Sequence, residues 1–228
     1  MRKKLQETLK LNKQLLKSGL QINQFGNVSI RYKDLCLIKP SGIDLKKITY
    51  KDISVAEINN KKLLSGLKPS VDLNIHLELY KKFKNIKSIV HTHSLYASSW
   101  AQSGRQIPCY GTTHADYYPK EIPITNFPKK SLIKENYERE IGISIINKLN
   151  LLKLNDQKIP GILVANHGVV SWGSSPKLAM ENAHAIEFIA QLAFNSEILN
   201  KRTKRLPVFL HRKHYNRKHG KKSYYGQK

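Results

Sequence analysis

The stretch Ile89-Val90-His91-Thr92-His93-Ser94 sets two imidazoles two residues apart at the end of a β-branched run. In an extended strand, residues i and i+2 project to the same face, so His91 and His93 can offer nitrogen lone pairs side by side. That spacing suits one metal ion, provided further ligands exist. His167 is a third imidazole, placed in Asn166-His167-Gly168 directly after the apolar run 161–165. A histidine beside a glycine at a strand end has little packing reason to be there, whereas a strand end mounts a ligand rigidly. Asp72, just after Pro69-Ser70, adds a carboxylate, or else simply favours the positive end of the helix that Pro69-Ser70 opens. Three imidazoles and one carboxylate form a ligand set for a divalent transition metal, with zinc the commonest occupant.

Three further groups of residues carry chemical potential. Gly26-Asn27, Ser41-Gly42 and Ser70 are small or amide residues at turns and helix starts, able to bind phosphate through backbone N–H and hydroxyl groups, or to serve as ordinary turn residues. Gly111-Thr112-Thr113-His114-Ala115-Asp116-Tyr117 gathers proton donors and acceptors inside a Pro-rich segment. There His114 reads either as another metal ligand or as an oriented structural histidine. The tail from His211 to Tyr225 is basic and tyrosine-bearing, which fits a frayed terminus or a nucleic-acid arm.

The elements that must position these groups follow from periodicity and turn residues. Residues 3–18 read as an amphipathic helix ended by Gly19. Gly26 to Tyr32 and Leu35 to Ile38 read as a hairpin turning at Lys33-Asp34, and Ile53 to Ile58 as a strand turning at Asn59-Asn60-Lys61. Ser70 is the expected cap of a helix whose inward stripe is Val71, Ile75, Leu79 and Phe83. Ile86 to His91 is a strand and Leu95 to Gln102 a helix. The segment 105–128, with five prolines and glycines, is an irregular loop of the kind that carries function. Ile133, Tyr137, Ile141, Ile145 and Leu149 mark another helix face. The strand 161–165 pairs with or runs on into Val169 to Trp172, and Pro176 opens a long Ala-rich helix.

Composition bounds the rest. A chain of 228 residues with 40% hydrophobic residues suits one globular α/β domain. It has no run of eighteen apolar residues, so no membrane span is expected, and its start lacks the apolar stretch of a secretory signal. Two cysteines, Cys36 and Cys109, make no disulfide framework, and the cytoplasm is the expected compartment. The net charge of +24 favours anionic partners. Its lysines are dispersed among Asn and Ile instead of forming one stripe, which argues against a dedicated nucleic-acid protein.

Seven ordered segments together resemble the class II aldolase/epimerase family, along nearly the whole chain. They are Gly26-Asn27-Val28-Ser29, Ile38-Lys39-Pro40-Ser41-Gly42, Lys68-Pro69-Ser70-Val71-Asp72, the Ile89 to Ser94 stretch, Gly111 to Tyr117, Asn166-His167-Gly168, and the tail with His214, Arg217 and Tyr224-Tyr225-Gly226-Gln227. The resemblance implies a three-layer α/β/α fold around a largely antiparallel sheet, and a homotetramer with active sites between subunits. It also implies Zn2+ held by His91, His93 and His167, with Asp72 at or near the metal. Gly26, Asn27, Ser41, Gly42, Ser70 and Val71 would hold a phosphorylated pentulose. Asp116 and Tyr225 would be the acid/base pair, brought by the neighbouring subunit together with Thr113 and Arg217, so that residues 207–228 complete a neighbour's site. One departure is Val71, where the family usually has a second serine, and a hydroxyl contact to phosphate is lost.

Overall fold

Runs of β-branched and aromatic residues bounded by turn residues build the centre of the molecule. The computed structural model describes residues 1–127, 130–220 and 223–224, without the side chains of residues 132, 133 and 135. Tyr225, Gly226, Gln227 and the side chain of Ile133 therefore lie outside the described residues. Seven strands form one sheet: β1 (Gly26–Tyr32), β2 (Leu35–Ile38), β3 (Ser54–Glu57), β4 (Leu63–Ser65), β5 (Ser88–Thr92), β6 (Gly161–Val164) and β7 (Gly168–Gly173). Their order is β4-β3-β2-β1-β5-β7-β6, and every pairing is antiparallel. The β1–β2 hairpin turns as expected, with Lys33 in the left-handed region (φ 55°).

Alternation along the central strands assigns the two faces. Val28, Ile30 and Val90 pack with Leu11 and Leu15 of α1 (Arg2–Lys17) and with Ala179, Met180 and Ala183 from the first turns of α6 (Pro176–Leu199). On the opposite face Ile89 joins Ile75 and Leu79 of α2 (Leu73–Lys82) and Ile141, Ile145 and Leu149 of α5 (Lys130–Leu151). The result is the expected three-layer arrangement of helices on both faces of an antiparallel sheet. The short helices α3 (Leu95–Gln102) and α4 (Thr112–Ala115) and the terminal α7 (Val208–His219) complete the described chain. No helix among the described residues is long and apolar enough to cross a membrane.

Three local expectations are corrected. The second helix begins at Leu73 with Asp72, not Ser70, at its N-cap. The Ser70 N–H is used elsewhere, donating to Lys39 O (3.0 Å) beside the Pro40–Pro69 bridge. Val71 then falls before the helix and is 60% exposed, so only Ile75, Leu79 and Phe83 form the inward stripe. Within 105–128 the chain is less irregular than its prolines suggest: α4 forms there, and Ile107 pairs with Ile122. Val208–His219 of the basic tail form α7, a helix in which no residue is buried.

Candidate metal centre and active site

One rim of the sheet collects the ends of three strands. β1 starts there with Gly26 opposite Thr92 and Asn27 opposite His91, and β5 ends there with Thr92 also opposite Val169 of β7. The β6–β7 turn lies beside them, closed by His167 N–H donating to Val164 O (3.0 Å), with Asn166 left-handed at φ 56°. Asparagine accepts that conformation at little cost, and it presents His167 toward β5. Gly168 is required by proximity: a Cβ there would lie 2.5 Å from Thr92 O and 3.4 Å from His91 Cε1. Gly26, at φ 114°, would bring a Cβ to 2.9 Å from His91 O. We expect Gly168→Ala to push β7 away from the His91 ring and to cost about 1–3 kcal/mol, read as a lower urea midpoint. An unchanged midpoint would show that the close approach is not needed.

His91, His93 and His167 converge, with ligand atoms all within 4.8 Å of one another. Their ring centroids are 4.8–4.9 Å apart. The Val169 carbonyl accepts from His91 Nδ1 (3.0 Å), which leaves a lone pair on Nε2, 3.1 Å from His93 Nε2. Nitrogens about 2.0–2.1 Å from a tetrahedral Zn2+ would be about 3.3 Å apart, so the donor set fits such an ion. His167 Nδ1 is buried without a hydrogen-bond partner, as is Asn27 Oδ1. Asp72 is not part of the three-imidazole group; its Oδ2 accepts from Asn27 Nδ2 (2.7 Å) and from Ser70 Oγ (3.4 Å). Burial works to raise the Asp72 carboxyl, but His91, His76, His167 and the Asn27 amide outweigh it and hold it below the ordinary carboxylate range.

Two of the three imidazoles, His93 and His167, are kept as neutral donors. Burial, with His91 beside it, pushes His93 down to about 4, and burial with His91 and His93 pushes His167 down to about 3. Burial likewise takes His76 to about 3 and His114 to about 4. Against the ordinary value of 6.5, all four would take up protons on unfolding before they do so in the fold. Stability is therefore present above pH 6.5 and is lost as pH falls toward 4. The urea midpoint of metal-free protein is expected to drop across that window. A flat midpoint from pH 7 to 4 would contradict it.

A cavity of about 260 Å³ opens onto this rim. It is lined by His93, His167 and Asp72 together with Gly26, Asn27, Ser41, Gly42, Ser70 and Val71. Ser41 N–H donates to Lys68 O, which sets its turn beside Ser70. Sequence reasoning passed over five further lining residues as site residues: Gln24, Phe25, Lys39, Tyr137 and Glu138. Lys39 is buried and its Nζ donates to Gln24 O (2.8 Å), a cation hidden in sequence by the abundance of lysine. Tyr137 follows Asn136, where α5 departs from helical geometry, and its ring stacks on His167 at 18° and 6.0 Å.

Thr113, Asp116 and Arg217 lie elsewhere. Asp116 ends α4 and is clasped by α7: Arg217 donates to both carboxylate oxygens (Nε 3.0 Å, Nη2 2.6 Å), with His214 Nδ1 at 3.2 Å. Burial raises the Asp116 carboxyl, and the Arg217 and His214 hydrogen bonds more than reverse that, so it lies below its usual range. Thr113 lines a separate pocket against α6. His114 is buried with Nε2 3.0 Å from Lys120 O, outside the imidazole trio, so it is the structural histidine of the two readings.

Comparison with known proteins matches residues 6–194 to the class II aldolase and adducin N-terminal domain; α7 lies beyond the matched residues. Among solved structures, an L-fuculose 1-phosphate aldolase is 23% identical with a TM-score of 0.77, covering 94% of this chain and 95% of that one. YgbL of Escherichia coli, a candidate aldolase/epimerase/decarboxylase, is 22% identical with a TM-score of 0.73, covering 93% and 97%. A sugar-phosphate aldolase from Thermotoga maritima is 22% identical with a TM-score of 0.68, covering 91% and 99%. At these identities the likeness establishes the shared fold.

Proposed function

The chain belongs to the class II aldolase and adducin N-terminal domain family, and from that premise we propose that it is a zinc-dependent L-ribulose-5-phosphate 4-epimerase, interconverting L-ribulose 5-phosphate and D-xylulose 5-phosphate. The observation that carries this reading is the meeting of His91, His93 and His167 beside one cavity that His93, His167, the half-buried Asp72 carboxylate and three small-residue turns line. His91, His93 and His167, with Asp72 at or beside them, are the proposed zinc ligands. Zinc bound there supplies Lewis-acid polarisation of a ketone oxygen.

The chain's own residues supply the rest. Gly26-Asn27, Ser41-Gly42 and Ser70-Val71 hold the phosphate through amide and hydroxyl groups and the N–H of Gly42 and Val71, the Ser41 and Ser70 N–H groups being taken by Lys68 O and Lys39 O. Lys39 adds a buried positive charge in the cavity wall. Carbon 4 of the substrate bears no acidic proton, so simple deprotonation cannot invert it; breaking the C3–C4 bond, turning the aldehyde fragment and re-forming the bond on its other face avoids that difficulty. Two proton carriers are needed: one takes the C4 hydroxyl proton and the other returns a proton from the opposite side. Asp116 and Tyr225 of the neighbouring subunit are assigned these roles. Arg217 and His214 hold the Asp116 carboxyl below its usual range.

Delivery by a neighbour is supported by the separation within one chain: Asp116, Arg217 and Thr113 do not line the imidazole cavity of their own subunit. A face fit for self-association is also available. From 178 to 199 α6 carries no Lys or Arg, in a chain with 40 of them, yet exposes Phe188, Leu192, Ile198 and Leu199. That face supports self-association; the homotetramer is assigned from the family resemblance, and the cytoplasm from a sequence with only two cysteines. The rival reading is a class II sugar-phosphate aldolase, which shares the imidazoles. Product analysis on L-ribulose 5-phosphate separates the two. Accumulation of D-xylulose 5-phosphate supports the epimerase, and release of free aldehyde and ketone fragments without it supports the aldolase.

A further inference from the structure

His91 and His93 are fixed very differently. His91 sits inside two ladders, opposite Asn27 and Val170, and its Nδ1 is held by the Val169 carbonyl. His93 lies one residue past the end of β5, beyond the last ladder pair at Thr92. The next fixed point along the chain is Ser94, the N-cap of α3, whose hydroxyl makes no capping bond to its own helix. Instead a carboxylate from α6 occupies that position. Glu187 Oε2 accepts from Ser94 Oγ (2.7 Å) and Ala97 N–H (2.9 Å), and Oε1 accepts from Tyr96 N–H (2.8 Å).

The first N–H groups of a helix have no partner within it, and an anion placed there is stabilised by both the free donors and the helix dipole. Three hydrogen bonds to one carboxylate are also stronger than neutral ones. They hold residues 94–97 against α6, so the loop carrying His93 is anchored by the sheet on one side and by Glu187 on the other. We infer that Glu187 is a positioning residue for His93, a clamp that sets the geometry of the imidazole trio from behind without touching it. This rests on the reading of that trio as a metal centre.

The test uses the full-length protein and metal binding alone. Zn2+ affinity is measured by competition with a chromogenic chelator, and Co2+ is added as a spectroscopic probe whose visible bands report ligand geometry. Glu187→Gln keeps shape and removes the charge. It is expected to weaken Zn2+ binding about tenfold or more and to alter the Co2+ bands. Ser94→Ala, which removes one of the three bonds, is expected to give a smaller loss in the same direction and covers the case in which Glu187→Gln fails to fold. Asn182→Ala, on the same helix, removes the bond from Asn182 Nδ2 to Trp172 O (2.8 Å) and serves as the control for mere destabilisation. It should lower the melting temperature and leave Zn2+ affinity and Co2+ bands unchanged. Lower stability with unaltered metal binding in both Glu187→Gln and Ser94→Ala overturns the inference. Equal loss of affinity in Asn182→Ala overturns it too. If the unmodified protein binds neither metal, the metal-centre reading itself fails and the clamp falls with it.

Discussion

His93→Ala is expected to abolish the proposed stoichiometric zinc binding and to reduce the proposed epimerase activity by more than the about 10²–10³ that loss of a single stabilising donor costs an enzyme, while leaving the chain folded. The fold should survive because His93 lies outside both β5 ladders and is only half-buried. The centre should not survive, because His91 Nε2 faces His93 Nε2 at 3.1 Å and no other described histidine joins the trio to replace it. Metal analysis after gel filtration, together with circular dichroism, separates the two effects. A folded variant that keeps its zinc would remove His93 from the ligand set.

Asp116→Asn is expected to keep zinc and lose turnover, by about 10²–10⁴-fold as general acid–base groups contribute. The carboxylate is paired with Arg217 and hydrogen-bonded to His214, and it does not line the imidazole cavity of its own chain. Removing its charge therefore leaves the metal centre intact. The sharper consequence appears on mixing. A ring made of equal parts His93→Ala and Asp116→Asn chains has about one in four interfaces with an intact cavity facing an intact Asp116. About a quarter of the original activity should return, although each variant alone is inactive. Verified mixed oligomers with no recovered activity would contradict a site shared between subunits.

The sheet and the rim that gathers the three imidazoles were legible because their signals are local. β-Branched runs ending in His-x-His, an Asn-Gly-flanked histidine, and hairpin turns at Lys33-Asp34 and Asn59 to Lys61 each declare a strand end within a few residues. The three imidazoles then meet because those ends share one sheet rim. Features that depend on distant partners were hidden. Pro69-Ser70 looks like a helix start, yet Ser70 N–H is taken by Lys39 O, 31 residues back, and the helix waits until Leu73. Glu187 is one of three acids on an Ala-rich helix, and its partners lie 90–93 residues away. The helix at Val208–His219 was masked by its own basic composition, which reads as a solvated tail until Asp116 is found clasped by Arg217 and His214. Lys39 was one lysine among many until burial singled it out.

The most direct measurement follows conversion of L-ribulose 5-phosphate to D-xylulose 5-phosphate in the presence of a strong chelator, and again after zinc is restored. D-Xylulose 5-phosphate formation that disappears with the chelator and returns with Zn2+ is the expected result. Formation that is indifferent to the chelator, or its absence from zinc-loaded protein, would contradict a zinc-dependent epimerase built on His91, His93 and His167.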